Sequence, residues 1–202
     1  MPGRYFLERP LDEIAEVFGA ERGDWADPGP RPDAAPGEIV HAIVGGPRRI
    51  EEMRWGMIPM GRKNARGRPV MDTLVNARSE TLFQKSAYQG LRRAILPVSG
   101  WYEWTGRPRN KTRWAIFDPA SPLLGFAAVW DLWAAPGGRE IASLATVTVE
   151  PNRDVKPIHH RMGAILAEKD WPIWLGEEAG VLIDVLKPWP EGRLAIEKSV
   201  LD

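Results

Sequence analysis

The chain has 202 residues, of which 44% are apolar and 27% charged, and its formal net charge at pH 7 is zero. This is the composition of an ordinary globular protein, and we expect one domain spanning residues 1–202. The absence of cysteine excludes disulfides, thiolate nucleophiles and thiolate metal sites. Because the start lacks a signal-peptide pattern and no apolar run is long enough to span a bilayer, we expect a cytoplasmic protein with no membrane contact.

The charge is unevenly distributed along the chain. Residues 48–113 hold 15 Lys and Arg against 5 Asp and Glu, a net charge of +10, which leaves 12 against 22 elsewhere, a net charge of −10. A basic segment of this kind is compatible with a solvated surface. It is also what a phosphate backbone requires, and it favours a nucleic-acid partner.

The first part of the chain predicts a helix, a loop and a strand. PLDEIAEVFG at 10–19 places apolar residues at helical spacing and ends at Gly19, which is typical of an amphipathic helix. The Pro- and Gly-rich stretch 24–38 predicts an irregular loop. EIVHAIV at 38–44 predicts a strand, and GRKNARGRP at 61–69 a mobile basic loop.

The rest of the chain is dominated by strand patterns. Residues 79–90 predict a helix with Ser79 as N-cap and Gly90 as C-cap. Short helices are expected near 170–176 and 177–186. Strands are predicted at 94–104, 113–117, 123–130 and 140–149. Because strands outnumber helices without alternating with them, we expect an α+β fold with a curved, mainly antiparallel, barrel-like sheet flanked by short helices.

GWYEW at 100–104 is the most unusual short motif. On a strand, Trp101 and Glu103 would face one side, and Tyr102 and Trp104 the other. A carboxylate surrounded by indoles is desolvated, which raises its pKa and suits a general acid or base. Taken alone, the motif fits a solvent-facing glutamate on an amphipathic strand at least as well.

KPIHHRM at 156–162 places two histidines beside an arginine. Adjacent histidines rarely bind one ion, and no carboxylate lies at a standard ligand spacing, so we expect no metal. Proton transfer or phosphate contact suits His159 better. His160 fits a structural role equally well.

LVNARSE at 74–80 offers an amide and a guanidinium. In an extended segment Asn76 and Arg78 point the same way, and Arg78 could bind a phosphate with two hydrogen bonds. The alternative is an ion pair between Arg78 and Glu80. The sequence has no Walker loop, no GxGxxG after a strand and no GxSxG, so ordinary nucleotide-binding and serine-hydrolase functions have no support.

The second residue, Pro2, leaves two interpretations open. It is either a stiff start to the first strand or, once the initiator methionine has been removed, a free secondary amine. Small second residues permit that removal, and the amine would then be a potential nucleophile.

Five motifs occur in a specific order: GRYFL at 3–7, WGMIP at 55–59, NARSET at 76–81, GWYEW at 100–104 and HHRM at 159–162. Together they resemble the SOS response-associated peptidase (SRAP) family of abasic-site processing proteins, from the first residues to about residue 190. The resemblance implies a role in the DNA damage and SOS responses. It implies single-stranded DNA with abasic sites as the partner, no cofactor, a monomer, and a cytoplasmic, nucleoid-associated protein.

The resemblance also implies roles for individual residues. Family members use a cysteine at position 2, which attacks the ring-opened sugar aldehyde and closes a thiazolidine, giving a stable DNA–protein cross-link. The family's active-site asparagine, glutamate and histidine correspond to Asn76, Glu103 and His159. Its arginines that hold the DNA backbone correspond to Arg4, Arg78 and Arg161.

This chain departs from the family pattern at three positions. Pro2 replaces the cysteine, so no thiazolidine can form and the family's thiol-dependent self-processing should fail. Gly61 stands where tryptophan is usual, which predicts weaker wedging of bases at the lesion. Gly163 follows HHRM where proline is usual.

A terminal proline can nevertheless form an iminium with an aldehyde, as bifunctional DNA glycosylases with an N-terminal proline do. Three hypotheses follow: an abasic-DNA enzyme with lyase activity that uses Pro2 as an amine nucleophile, a non-covalent binder of abasic or single-stranded DNA, and a repurposed member acting on a peptide or small aldehyde. Retention of Asn76, Glu103 and His159 argues against the pure binder, which needs arginines but no proton transfer. The family is classed among peptidases, hydrolases and lyases on abasic DNA. Because Pro2 replaces its catalytic cysteine, the enzymatic status of this chain stays open.

Overall fold

A computed structural model describes residues 2–58, 73–84, 90–107, 109–134, 138–178 and 180–199. Short strands make up most of the regular structure. In chain order the elements are β1 (Tyr5–Leu7), α1 (Leu11–Phe18), β2 (Arg31–Ala34), β3 (Ile39–Val44), β4 (Arg49–Trp55), β5 (Asn76–Arg78), α2 (Ser79–Leu82), β6 (Arg92–Val98), β7 (Gly100–Arg107), β8 (Asn110–Phe117), β9 (Leu124–Ala134), β10 (Glu140–Val149), β11 (Met162–Gly163), β12 (Ile165–Leu166), α3 (Trp171–Leu175), α4 (Leu182–Val185) and β13 (Ala195–Ser199).

The larger sheet closes on itself. Strand β10 pairs in parallel with β4 along one edge and antiparallel with β9 along the other. The antiparallel pairs β4–β3, β3–β6 and β6–β9 complete the ring. Closure leaves these five strands with few free edges, and it confirms the expected α+β, mainly antiparallel and barrel-like fold.

The smaller sheet has the strand order β13-β8-β7-β1-β2. One face of it packs against the barrel through aromatic contacts: the Tyr5 and Trp55 ring centroids lie 5.3 Å apart, and those of Trp101 and Phe126 lie 5.5 Å apart. Trp55 and Trp101 are completely buried. Strand β7, which carries GWYEW, therefore presents the face of Trp101 to the barrel.

Several predicted elements are confirmed. Helix α1 buries Leu11, Ile14 and Phe18 and ends at Gly19, whose backbone adopts the left-handed conformation with φ 57°. The expected strands at 38–44 and 140–149 are β3 and β10. None of the helices in the described part of the chain is both long and apolar enough to cross a membrane.

Other predictions need correction. The loop predicted at 24–38 contains β2, whose proline, Pro32, is tolerated because β2 is the outermost strand, paired on one side with β1. The single strand predicted at 94–104 is divided at Ser99 into β6 and β7, which belong to different sheets. Helix α2 ends at Leu82, and its N-cap is the extended Arg78 rather than Ser79. The basic loop at 61–69 lies outside the described residues.

Candidate active site

Asn76 fixes the start of the chain in the interior. Its strand, β5, pairs in parallel with β10, which places Asn76 opposite Thr146. The Asn76 side-chain nitrogen donates a hydrogen bond of 3.0 Å to the carbonyl oxygen of Pro2, and the Thr146 hydroxyl donates one of 2.6 Å to the Asn76 side-chain oxygen. Because both ends of the amide are engaged, its orientation is set, and the buried Pro2 is held by its backbone.

The pairing of β1 with β7 brings this same segment to Glu103. Tyr5 lies opposite Trp101, and the Tyr102 N–H donates to the Arg4 carbonyl at 3.0 Å. Continuing this antiparallel register by one residue puts Gly3 opposite Glu103. Pro2 therefore lies next to the carboxylate of GWYEW.

The Glu103 side chain is buried, with only 3% of the residue exposed. It shares its face of β7 with the buried Trp101, and Trp114 is its cross-strand partner on β8. Burial raises the pKa of the Glu103 carboxyl above its ordinary value. The carboxyl is therefore buried as the desolvation argument requires, and the alternative of a solvent-facing glutamate is wrong.

His159 approaches Glu103 from the segment after β10. Its Nδ1 lies 3.9 Å from a Glu103 carboxylate oxygen. The same Nδ1 lies 3.0 Å from the backbone nitrogen and 3.1 Å from the carbonyl oxygen of Arg161, which fixes the ring for either tautomer. Burial lowers the pKa of His159 below its ordinary value, so the neutral imidazole is favoured. The His160 ring stacks on that of His159 with centroids 4.3 Å apart.

The three arginines with expected DNA roles have different environments. Arg161 is buried and forms a two-pronged ion pair with Glu80, with one contact of 3.0 Å, and it also bonds to Thr148. Arg4 is half-exposed and pairs with Asp33 at 3.2 Å.

Arg78 is exposed and lines an open cavity of about 570 Å³ with Lys156, His160, Arg161 and Glu150. The ion pair considered for Arg78 and Glu80 is therefore replaced by one between Arg161 and Glu80.

Within the described residues, no group of three His, Asp or Glu side chains is placed to hold a metal ion. What the residues do assemble is a close pair of a buried glutamate and a histidine, Glu103 and His159, near Pro2. The fold brings three distant residues together near Pro2: Asn76, Glu103 and His159. Their order in the sequence gives no information about this proximity. The roles assigned to these residues stay predictions.

Sequence reasoning missed the polar residues that hold this site. The Thr146 hydroxyl orients the Asn76 side chain. The Arg161 guanidinium is contacted by Thr148 and neutralised by Glu80. A signal was present for the threonines: both interrupt the apolar run of β10 at alternate positions and are fully buried. No local signal pairs Glu80 with a residue 81 positions away.

Comparison with known proteins decides the family. A family model described as SOS response associated peptidase (SRAP) matches residues 1–199. The chain belongs to the SRAP family. Among curated SRAP relatives, the abasic site processing protein YoaM of Bacillus subtilis is 32% identical over 85% of this chain and 78% of its own length. The abasic site processing protein YoqW of the same organism is 30% identical over 87% of this chain and 80% of its own length.

A vertebrate relative and two solved structures are also similar to this chain. The abasic site processing protein HMCES of Gallus gallus is 31% identical over 59% of this chain, which matches 42% of that protein. A protein from Bacteroides thetaiotaomicron superposes with a TM-score of 0.83 at 20% identity, covering 96% of this chain and 90% of that one. One from Bordetella bronchiseptica has a TM-score of 0.80 at 24% identity, with 98% and 100% covered. At these identities the structures establish the SRAP fold alone.

Proposed function

We propose that this SRAP chain processes abasic sites in single-stranded DNA through a transient Schiff base on the Pro2 nitrogen. The curated relatives are named abasic site processing proteins, which supports the substrate class. One observation supports the mechanism above all: Asn76 binds the carbonyl oxygen of Pro2 and so holds this residue beside the buried Glu103. The Nδ1 atom of His159 lies 3.9 Å from the carboxylate of Glu103.

Bond formation starts at the amine. The Pro2 nitrogen attacks the aldehyde carbon C1′ of the ring-opened sugar, and the amine proton passes to the carbonyl oxygen. Glu103 then donates a proton to the resulting hydroxyl, which leaves as water while the nitrogen lone pair forms the C=N bond. The product is a cationic iminium.

The iminium is an electron sink for β-elimination. His159 removes a proton from C2′, and the electron pair expels the 3′ phosphate, which breaks the strand. Water hydrolyses the iminium, releasing the unsaturated aldehyde and regenerating the amine. Because no sulfur is present to close a ring on the iminium carbon, the covalent intermediate is transient rather than stable.

The environments of the acid and the base support this division of roles. Burial raises the pKa of Glu103 and lowers that of His159. Both shifts favour the neutral form, so the first group retains a proton to give and the second has a lone pair to accept one.

Phosphate contacts hold the strand in this proposal. Arg78 is the first candidate because its cavity is open to solvent and also contains Lys156 and His160. Arg4 and Arg161 join it by exchanging their carboxylate partners, Asp33 and Glu80, for phosphates. Such a protein would act as a monomer in the DNA damage and SOS responses, at the nucleoid in the cytoplasm.

Borohydride trapping tests the nucleophile. Intact mass first establishes whether Met1 has been removed, since Pro2 is an amine only then. Incubation with abasic single-stranded DNA and borohydride should give a covalent adduct, and peptide mapping should place it on the tryptic peptide 2–4 rather than on a lysine. Without borohydride no lasting cross-link should survive. Replacing Pro2 with Cys should convert the transient adduct into a stable one.

Two outcomes separate this mechanism from its alternatives. If Met1 is absent and borohydride traps nothing at Pro2, the nucleophile is refuted; retained DNA binding would then favour the non-covalent binder. If abasic DNA is neither bound nor trapped, while a peptide or small aldehyde reacts, the chain is a repurposed family member.

A further inference from the structure

The hairpin formed by β7 and β8 extends beyond the candidate active site. Its two strands remain paired from Trp101 opposite Ile116 to Arg107 opposite Asn110. Glu103 lies near the base of this hairpin, and four further residues of β7 follow it. At about 3.3 Å per residue, the end of the hairpin lies about 13 Å from Glu103. This is the length of a few nucleotides of a DNA strand.

The end of the hairpin is strongly basic. Arg107, Arg109 and Lys111 are exposed, and we call these three residues the hairpin tip. Between residues 104 and 117 the sequence contains no Asp or Glu. None of the three tip residues forms an ion pair within the part of the chain that the structure describes, in contrast to Arg4 and Arg161 in the site itself.

An aromatic side chain lies beside the active site and reaches from there toward the tip. Trp114 is the cross-strand partner of Glu103, so its indole lies on the same face of the sheet. It is half-buried, and its ring nitrogen donates a hydrogen bond of 2.8 Å to the Thr105 hydroxyl. The indole is thus held in place by one edge while part of its surface stays accessible.

We propose that this hairpin binds one flank of the single strand, with a base stacked on Trp114 and a phosphate on Arg107 at the hairpin tip. A basic surface with an interleaved aromatic ring is the combination that binds single-stranded nucleic acid without sequence preference. The tip gives charge without competing carboxylates, and the indole gives a fixed platform next to the reacting sugar. This inference rests on the proposed function, because it takes the same strand as the partner.

The hairpin reaches away from the active site in one direction, so it can contact the strand on one side of the lesion only. That directionality separates the proposal from a general effect of positive charge. It predicts that removing DNA on one side of the lesion abolishes the contribution of the hairpin, and that removing DNA on the other side leaves it intact.

The test uses single strands carrying a tetrahydrofuran abasic analogue, which has no aldehyde and so reports binding without Pro2 chemistry. The strands extend on both sides of the lesion, only on the 5′ side, or only on the 3′ side. The tip variant is Arg107→Gln, because alternation along β7 places Arg107 on the face of Glu103 and Trp114, whereas Lys111 lies opposite Gly106 on the other face. Arg109 is left unchanged because its backbone has φ 71°, an uncommon conformation. Lys169→Gln removes the same charge elsewhere and is the matched control.

Affinity is measured over a range of salt concentrations. The tip variant should lower the slope of log K against log salt by about 0.7, the value for one contact to a single strand, on the two-sided strand and on one of the truncated strands. On the other truncated strand it should match the wild type. Trp114→Leu should weaken binding by about 5-fold to 150-fold, and Trp114→Phe by much less, with thermal unfolding measured for both.

The proposal is overturned if the tip variant has the wild-type slope on every strand, if it loses slope equally on both truncated strands, or if the control variant loses as much. Failure of the hairpin proposal can be told apart from failure of the proposed function. If the hairpin does not bind the strand, borohydride trapping at Pro2 still occurs. If Pro2 is not the nucleophile, trapping is lost but the salt slopes measured with the tetrahydrofuran analogue stay the same.

Discussion

Replacing Glu103 by Gln tests the acid role at the position where the structure defines it best. The carboxyl is 3% exposed and 3.9 Å from His159, and the amide has nearly the same shape as the protonated acid but donates no transferable proton. A positioned acid or base contributes about 10²- to 10⁴-fold to a rate. We therefore expect trapping at Pro2 to slow by about 100-fold to 10,000-fold, with affinity for the tetrahydrofuran analogue unchanged.

The pH dependence gives an independent check of this role. Glu103 acts as an acid in its protonated form, and burial raises its pKa above 4.5. The wild-type trapping rate should therefore fall as the pH rises through that pKa, and the Gln variant should lack this limb. The carboxyl's contribution to stability has the same sign: it is present below its unfolded pKa and is lost as the pH rises through the folded pKa.

The assay is single-turnover borohydride trapping between pH 5 and 9 on the wild type and the Gln variant, with thermal unfolding of both at pH 8. Because an ionised carboxylate is costly to bury and an amide less so, the variant should be at least as stable as the wild type at pH 8. Equal losses of analogue binding and of trapping would refute the acid role and make Glu103 a structural residue.

Three further outcomes are expected. Arg78→Gln should lower the salt slope of single-strand binding by about 0.7, and an unchanged slope would remove Arg78 from the phosphate contacts. Arg161→Gln should destabilise the fold by about 1–3 kcal/mol in denaturant unfolding, because Glu80 loses a charged hydrogen-bond partner; in the Glu80→Gln background the cost should shrink. Gly163→Ala should cost about 1–3 kcal/mol, because the added Cβ would meet the Phe126 ring at 2.7 Å, and Phe126→Leu should relieve part of that cost.

Patterns with a local cause could be predicted from the sequence. The spacing of apolar residues in α1 and the terminating Gly19 are such patterns. The alternation of GWYEW is another, since it puts Trp101 and Glu103 on the same side of the strand; that this side is buried follows only from its packing against the barrel. In these cases one segment contains both the side chains and the geometry that decides their positions.

Features that depend on distant partners could not be predicted. Strand β2 forms because β1 is available to pair with it, although its own composition resembles a loop. The division at Ser99 depends on two sheets separating at that point. The pairing of Arg161 with Glu80 depends on how α2 docks beside β10. Such outcomes are set by tertiary packing, which overrides local preference.

The anchoring of Pro2 by Asn76 has a practical consequence for making the protein. A purification tag fused ahead of residue 2 would turn the proline nitrogen into a peptide amide, which has no nucleophilic lone pair. The tag would also have to leave the protein through the space next to Pro2, which is buried and whose carbonyl oxygen is bound by Asn76. A tag at the carboxyl end instead follows β13, an outer strand. In the proposed mechanism, protein produced with an uncleaved leading tag would therefore give no trapped adduct, for a reason unrelated to its native chemistry.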